Sequence, residues 1–400
     1  MAKKLLAVIA IGSLTARLKI FEIGSNGKPK EVEAVRKFTG LGTQSYSSGI
    51  IQTNQVDELC KCLKMFDEKC KEYRVARVFC VATSAFRDAS NAEVVIEKIR
   101  TRTGFKIKVL DNSMERYYQT LAVQAINPDF AKIIADGTMI LDIGSGSIQV
   151  SVYDKSEFVF SQNLLLGSLR ISGLLSDLQN RTSHYEEVME EFIGQDLDDY
   201  HAVEPKGITY KNLIAFSGEM GYMKLLAEHD MMSSVILTKE EFLKVYNYLL
   251  KTRPTDLTLN NNIPSPIAPL LLPTALIIKN MLEYTGVDKI YMPHASLSDG
   301  IIYHYCVNSQ GLKTEIEPDS YIISASKHIA KRYRSNRKHL DYVEDIALKI
   351  FDETKKISGL GSRDRLLLQV SVMLHEIGKF VHSRNHSDAA YSRTVLYSRC

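Results

Sequence analysis

The chain has 400 residues, of which 45% are hydrophobic and 24% are charged, and its formal net charge is +3. This length predicts two or three domains, and the composition excludes an intrinsically disordered protein. The small net charge means that a polyanionic partner would be bound by a local basic patch, because the surface as a whole attracts it little.

The first predicted element is a buried strand at residues 5–11, although Lys3 and Lys4 before it also fit the basic start of a signal peptide. Residues 16–22 alternate polar and apolar side chains, as the second strand of a hairpin does, and this favours the strand. No other stretch has a run of about 18 apolar residues. We therefore expect no membrane span. Because the six cysteines have no zinc or disulfide spacing, we also expect free thiols and a cytoplasmic protein.

A second segment repeats this hairpin pattern at an offset of 132 residues. Residues 140–143 predict a second buried strand, Gly144 and Ser145 follow it, and residues 149–154 alternate again. The first copy has Gly12 and Ser13 at the matching turn. Two matched hairpins so far apart predict two related lobes.

The rest of the first lobe alternates between helix and strand patterns. Helices are predicted at residues 56–73, 92–101 and 113–124, and strands at 77–81 and 105–110. This alternation is typical of a mostly parallel sheet. The turn residues at 127–129 then predict a boundary, so that the first lobe spans residues 1–126.

The second lobe is predicted to span residues 127–310. It continues with an exposed acidic helix and loop at 185–200, a proline-rich loop at 252–269 and a helix at 273–284. From about Asp319 the strand patterns stop, and this predicts an all-helical third unit at residues 311–400.

The two glycine-serine turns are the first candidates for chemistry. A glycine after a buried strand allows a tight turn and lets backbone N–H groups approach an anion. Asp142 ends the second buried strand, where its carboxylate could hold a divalent metal. A single turn of this kind is usually an ordinary hairpin turn, but two matched copies favour a phosphate clamp.

These turns, together with the string Val-Ala-Thr-Ser-Ala-Phe-Arg-Asp-Ala-Ser-Asn at residues 81–91, resemble the exopolyphosphatase / guanosine pentaphosphate phosphohydrolase (Ppx/GppA) family. The resemblance extends from residue 5 to about residue 390. It implies an α/β fold of the actin and sugar-kinase type, with two ribonuclease H-like lobes and an active site between them. It also implies hydrolysis of a terminal phosphoanhydride, in inorganic polyphosphate or in pppGpp, aided by Mg²⁺ or Mn²⁺.

The family motif implies that Glu115 is the base that activates water and that Arg87 binds phosphate. Each residue also has a simpler explanation. Arg87 could form an ion pair with Asp88 or cap a helix. Glu115 could be an ordinary glutamate in the first turn of a helix whose N-cap is Ser113. Asp142 is implied as the metal ligand. The other implied phosphate-binding residues are Gly12, Ser13, Gly144, Ser145, Gly146, Ser147 and Gly218.

Several positions depart from the family pattern. Ala10 and Leu14 replace an aspartate and an asparagine of the first turn, and Glu219 replaces the last residue of a Gly-Gly-Thr turn. A glutamate there would repel phosphate unless a metal or an arginine intervened. These changes predict, as an alternative, a weakened or inactive member that binds polyphosphate or guanosine alarmones. A sugar or acetate kinase is a weaker alternative, because no adenosine-binding segment is evident.

The helical tail resembles the HD-type domain of longer members of this family, in a version shorter than a complete domain. This resemblance implies a metal site at His339, His375, Glu376 and His386, although Glu376 stands where an aspartate is usual. The alternative is a helical packing domain without metal.

The expected partners are polyphosphate or guanosine tetra- and pentaphosphate, and the resemblance is compatible with a homodimer. Residues 327–338 hold six lysines and arginines that could guide a polyphosphate chain, or could simply form a solvated helix face. Tyr333 is the only aromatic residue among them, and this argues against nucleic acid as a partner.

Overall fold

A computed structural model describes residues 4–179, 184–312, 318–380 and 387–391 of the chain. The first part is built from five strands and five helices. They are β1 (Lys4–Ile11), β2 (Thr15–Ile23), β3 (Pro29–Phe38), α1 (Leu41–Ser48), α2 (Thr53–Glu72), β4 (Arg77–Ala82), α3 (Ser84–Asp88), α4 (Ala92–Thr103), β5 (Lys108–Val109) and α5 (Asn112–Ile126). Their sheet has the order β3-β2-β1-β4-β5.

The second part is built in the same way around six strands. Its elements are α6 (Phe130–Ala135), β6 (Gly137–Ile143), β7 (Ile148–Asp154), β8 (Glu157–Leu164), α7 (Ser168–Gln179), α8 (Tyr185–Val203), β9 (Tyr210–Ser217), α9 (Met220–Leu226), β10 (Val235–Thr238), α10 (Lys239–Lys251), α11 (Pro254–Asn261), α12 (Ala268–Thr285), β11 (Lys289–Met292) and α13 (Leu297–Gln310). Their sheet has the order β10-β11-β9-β6-β7-β8.

The predicted pair of related lobes is confirmed by this topology. In each lobe an opening strand pairs antiparallel with the second strand and parallel with a later one: β1 lies between β2 and β4, and β6 lies between β7 and β9. The opening strands are buried, because Val8 and Ile9 in one and Leu141 in the other have no exposed surface. Each lobe therefore presents its hairpin turn at the same end of its sheet.

The prediction of a mostly parallel sheet was wrong, because both sheets are mixed. The hairpin in each lobe is extended by a third antiparallel strand, β3 or β8, that continues the meander. Among the described strands, the parallel pairs are β1 with β4 and β4 with β5 in the first lobe, and β6 with β9 and β9 with β11 in the second.

Two segments hold more helix than predicted. The proline-rich loop at 252–269 contains α11 and the start of α12, since Pro254 and Pro269 occupy first-turn positions where proline needs no N–H. The acidic segment at 185–200 is one continuous helix, α8, whose Met189, Ile193 and Leu197 are buried on one face.

Helix α13 returns to the first lobe, although its residues fall within the predicted second lobe. It packs along α5 and against β1. Gly300 makes this crossing close, since a Cβ there would overlap the Tyr118 carbonyl. The lobe limits at residues 126 and 310 stay predictions. The packing of α13 shows that a helix at the end of the predicted second lobe can belong to the first lobe in space.

The described part of the third unit is helical, as predicted. It consists of α14 (Pro318–Arg332), α15 (Arg337–Ser358), α16 (Ser362–Leu374) and a 3₁₀ turn at Ile377–Phe380. The α14 helix packs on β8, where the Arg332 guanidinium lies over the Phe160 ring at 5.5 Å. Among the helices of the described residues, none has both the length and the apolar composition that a membrane span requires.

Candidate active site in the interlobe cleft

The turns of the two opening hairpins line one cavity of about 150 Å³ between the lobes. This is the arrangement that the matched hairpins predict. The predicted site residues that line it are Gly12, Ser13, Glu115, Asp142, Gly144, Ser145, Ser147 and Gly218. Two predicted site residues, Arg87 and Gly146, are not among the described residues that line this cavity. Arg87 contacts Glu115, and Gly146 follows Ser145 in the second turn.

The two glycines close their turns in the same way. Gly12 donates its N–H to the Thr15 carbonyl at 2.9 Å, and Gly144 donates to Ser147 at 2.9 Å. These two N–H groups are therefore occupied by the turn, although they were predicted to bind phosphate. The remaining donors of the turns are the serine groups and the neighbouring amides.

Ser13 belongs to a cluster of three hydroxyl groups in the first lobe. Its Oγ lies 2.9 Å from Ser84 Oγ and also hydrogen bonds to the Tyr46 hydroxyl, which is 3.0 Å from Ser84 Oγ. Burial raises the pKa of Tyr46, which favours the neutral phenol. The cluster fixes the first turn and offers hydroxyl donors to the cavity.

Gly146 joins the second turn to this cluster. A Cβ at Gly146 would overlap the Tyr46 hydroxyl and lie 2.6 Å from Ser84 Oγ, so only glycine allows this approach. Arg170 completes the junction between the lobes: its Nε donates to the Gly146 carbonyl at 2.9 Å, and its guanidinium pairs with Asp88. The alternative explanation of Arg87, an ion pair with Asp88, is therefore not what the structure has, since Asp88 pairs with Arg170.

Glu115 lies in the first turn of α5 and reaches the cavity. Asp111 caps this helix by accepting the Met114 N–H at 2.8 Å, so the alternative explanation of Glu115 was right about its first-turn position but wrong in naming Ser113 as the cap. Arg87 Nη1 holds Glu115 Oε2 at 2.8 Å and also donates to the Leu110 carbonyl at 2.8 Å. Arg87 thus contacts the predicted base in this structure.

Burial shifts the pKa of both carboxylates that line the cavity. It raises the pKa of Glu115, and the adjacent Arg87 cation offsets part of that rise. Burial also raises the pKa of Asp142 well above its usual range, and the charge of Glu115 adds to this. Gln119, one helical turn after Glu115, donates a hydrogen bond to Asp142 and stabilises its anion.

Arg17 is a site residue that the sequence interpretation missed. It lines the cavity and is the cross-strand partner of Ala10 in the first hairpin, as Gln149 is of Asp142 in the second. Burial and the nearby Arg36 lower the pKa of Arg17. The hairpin register carried the signal, because a residue opposite the lost aspartate position must face the same cleft.

Glu219 follows the turn at Gly218 and is only 1% exposed. Its N–H donates to Ser217 Oγ at 3.0 Å. Burial raises the pKa of Glu219, and the charge of Arg17 offsets part of the rise. The predicted repulsion of phosphate by Glu219 is therefore moderated by an arginine.

A second cavity of about 240 Å³ continues the cleft, and Arg17 and Gly218 line both cavities. Its other basic side chains are Lys19, Arg36, Lys224 and His294, and burial lowers the pKa of His294, which favours its neutral form. Lys19 is already paired, with Asp299 at 3.0 Å and Glu31 at 2.7 Å. The cleft is therefore richest in positive charge beyond the hairpin turns.

Lys224 gives a pH-dependent prediction. It is 1% exposed, its Nζ donates to the Ser233 carbonyl at 2.8 Å, and burial lowers its pKa to about 8. Because the folded-state pKa lies below the ordinary 10.5, the unfolded chain binds more protons between these values and stability rises with pH there.

We therefore expect Lys224→Met to raise the free energy of unfolding by about 1–2 kcal/mol at neutral pH, and this gain to disappear above about pH 10. Urea unfolding at both pH values measures it. Lys251→Met, at an exposed position of α10, is the control and should change stability by less than about 0.5 kcal/mol at either pH. An equal gain for Lys224→Met at both pH values would contradict the prediction.

In the helical unit, His339, His375 and Glu376 bring one ligand atom each to within 4.8 Å of one another, and His386 lies outside the described residues. The carboxylate of Glu376 is already engaged, since the Lys379 ammonium pairs with it and the Asn336 N–H donates to it at 3.1 Å. A metal would have to displace Lys379, so metal binding at this cluster stays a prediction.

Comparison with known proteins places the chain in a family. Residues 20–308 match the sequence profile of the Ppx/GppA phosphatase family. Exopolyphosphatase 1 of Mycobacterium tuberculosis is 29% identical over 167 residues, which are 42% of this chain and 47% of that protein. The guanosine-5'-triphosphate,3'-diphosphate pyrophosphatase of Aliivibrio fischeri MJ11 is 19% identical over 93% of this chain and 72% of that protein.

Solved structures show the same fold. The Aquifex aeolicus member of the Ppx/GppA family superposes with a TM-score of 0.63 at 21% identity, over 78% of this chain and 100% of that one. An exopolyphosphatase from Cytophaga hutchinsonii gives 0.67 at 21% identity, over 78% and 99%. The fold is therefore actin-like and two-lobed. The chain spans less than half the length of the exopolyphosphatase 1 relatives it matches, and it belongs to the Ppx/GppA phosphatase family.

Proposed function

We propose that this chain hydrolyses the terminal phosphoanhydride of a linear polyanion, either inorganic polyphosphate or pppGpp. The observation that carries the proposal is that both hairpin turns, Arg17 and Glu115 line one cavity. The names of two relatives, an exopolyphosphatase and a guanosine-5'-triphosphate,3'-diphosphate pyrophosphatase, support the same chemistry.

In this proposal different side chains of the cleft bind the phosphate and activate the water. Ser13 and Arg17 bind the terminal phosphate and stabilise the charge that develops on its oxygens. Glu115 accepts a proton from the attacking water, and Arg87 keeps its carboxylate oriented. A bound Mg²⁺ or Mn²⁺ would be held by Asp142 and would neutralise phosphate charge.

The second cavity is proposed to hold the rest of the substrate. Arg36 and Lys224 line it, and its apolar wall includes Tyr222 and Met231. A polyanion longer than one phosphate needs cations beyond the reacting group, and these side chains supply them. Polyphosphate and pppGpp are both longer than one phosphate and both need such cations, so the phosphate-release assay described below distinguishes between them.

The pairing of Arg87 with Glu115 predicts a shift in the pH profile. Because Glu115 must be deprotonated to act as a base, activity falls as the pH drops through its pKa. Arg87 lowers that pKa, so Arg87→Met should move the acid limb of kcat/KM to higher pH. Initial rates of phosphate release from pH 5 to pH 9 measure the limb. An acid limb that stays in place in this variant would contradict the pairing.

The proposal is tested by release of orthophosphate from polyphosphate and from pppGpp, each with Mg²⁺, with Mn²⁺ and with a chelator. We expect one substrate to be cleaved at its terminal phosphate, and the chelator to stop the reaction. Tight binding of both substrates without release of phosphate would overturn the proposal and favour a sensor. A non-catalytic protein is not proposed, because Glu115 is placed in the cavity.

A further inference from the structure

The helical unit carries a polar cluster outside the interlobe cleft. Its members are His339, in the first turn of α15, and His375 and Glu376, directly after α16. Glu376 is only 3% exposed, and the side chains of Leu374 and Ile377 on either side of this pair are buried. A buried carboxylate is stable only where cations or N–H donors compensate its charge. The group that supplies this positive charge decides whether the cluster can hold a metal ion.

Lys379 supplies the positive charge to Glu376. In the turn that follows α16, the Lys379 N–H donates to the Glu376 carbonyl at 2.9 Å, and this brings the lysine side chain back over the glutamate. The Lys379 ammonium pairs with Glu376 Oε1. The second carboxylate oxygen, Oε2, accepts the N–H of Asn336, the N-cap of α15, at 3.1 Å. Both oxygens of this carboxylate therefore have a donor within the chain.

The two histidines lie around the same carboxylate. His339 Nε2 is 3.8 Å from Glu376 Oε1, and the ring centroids of His339 and His375 are 5.7 Å apart. His375 Nδ1 lies 2.6 Å from the Val372 carbonyl oxygen, which can only accept a hydrogen bond. This nitrogen therefore carries a proton, and Nε2 holds the lone pair of the neutral ring. Imidazole nitrogens together with one carboxylate oxygen are ligands that first-row transition metals accept.

A metal ion and the Lys379 ammonium would compete for Glu376 Oε1. The ammonium has three N–H donors and no lone pair, so it cannot be a ligand, and its charge repels a divalent cation bound to the same oxygen. We propose that Lys379 is a built-in cation that takes the place of a metal ion in this cluster, so that the helical unit folds without metal. Removal of the ammonium should then convert the cluster into a transition-metal site. This inference does not depend on the chemistry proposed for the cleft.

The test is the binding of Co²⁺ to the full chain, measured by calorimetry and by the visible absorption of the bound ion. Every chain compared carries Asp142→Asn, which removes the carboxylate assigned to metal binding in the cleft. We expect Lys379→Leu to bind Co²⁺ at least about 100-fold more tightly than the chain with Lys379, because leucine has neither a charge nor a ligand atom. Adding His375→Ala should abolish this gain. The matched control is Lys349→Leu, which removes a lysine that pairs with Asp345 at 2.7 Å on α15, and it should give no gain.

Two results would overturn the proposal: a folded Lys379→Leu chain that gains no affinity for Co²⁺, or a chain with Lys379 that already binds Co²⁺ as tightly as the variant does. Thermal unfolding with and without Co²⁺ shows whether the variant is folded, and a variant that folds only with Co²⁺ supports the proposal.

A second measurement uses the chain with Lys379 and decides the matter if Lys379→Leu does not fold in either condition. The nuclear magnetic resonance signals of the His375 ring, assigned by their loss in His375→Ala, are followed during a titration with Zn²⁺. We expect these signals to stay in place, because the Lys379 ammonium keeps the metal out. A saturable shift of the His375 signals would overturn the proposal.

Discussion

Glu115→Gln is expected to lower kcat for phosphate release about 10²–10⁴-fold, which is the usual contribution of a general base. The amide keeps the shape of the side chain and its contact with Arg87, but it cannot accept the proton of the attacking water. We therefore expect tripolyphosphate to bind with an affinity within about threefold of the unsubstituted chain. Phosphate-release assays stopped at fixed times measure kcat, and calorimetry measures the affinity for tripolyphosphate.

The matched control is Glu190→Gln on α8, where the glutamate pairs with Lys279 at 2.6 Å, outside the residues that line either cavity of the cleft. It should leave kcat within about twofold. If Glu115→Gln turned over as fast as this control, Glu115 would have no part in the chemistry, and another group would have to activate the water.

Gly146→Ala is expected to reduce kcat/KM about 100-fold and to lower the free energy of unfolding by about 1–3 kcal/mol. The added methyl group would overlap the Tyr46 hydroxyl and crowd Ser84, which hold the first turn. Relief of the overlap must move the second turn away from the first. Such a displacement separates the phosphate-binding groups of the two lobes.

Gly194→Ala is the control for this substitution. A Cβ at Gly194 meets no heavy atom within 4 Å, and the residue lies inside α8. There alanine should stabilise the protein by about 0.5–1 kcal/mol without changing kcat/KM. An active and fully stable Gly146→Ala variant would show that the close approach of the two turns is not needed.

The sequence alone was sufficient to predict the paired hairpins and their shared cleft, because the offset of 132 residues reflects real equivalence of β1 with β6 and of β2 with β7. The sequence also identified Glu115 and Asp142 as candidate site residues, because the motifs around them resemble those of the Ppx/GppA family. What it could not supply was the partner of each group. The Arg87–Glu115 and Asp88–Arg170 pairs join residues 28 and 82 positions apart, and only the fold brings them together.

The missed elements have local explanations. Pro254 and Pro269 were interpreted as loop residues, yet a proline in the first turn of a helix loses no hydrogen bond. Arg17 was taken as one polar position of an alternating strand. The alternation was interpreted correctly, but it does not distinguish a side chain that faces solvent from one that faces the other lobe.

The central claim is that the two hairpin turns bind one anion together. The most direct measurement is a titration of the ¹⁵N-glycine- and ¹⁵N-serine-labelled chain with tripolyphosphate, followed by the amide signals of Gly12, Ser13, Gly144 and Ser145. We predict that signals from both turns shift, with the same apparent Kd. Shifts confined to one turn, or two different values of Kd, would contradict the claim.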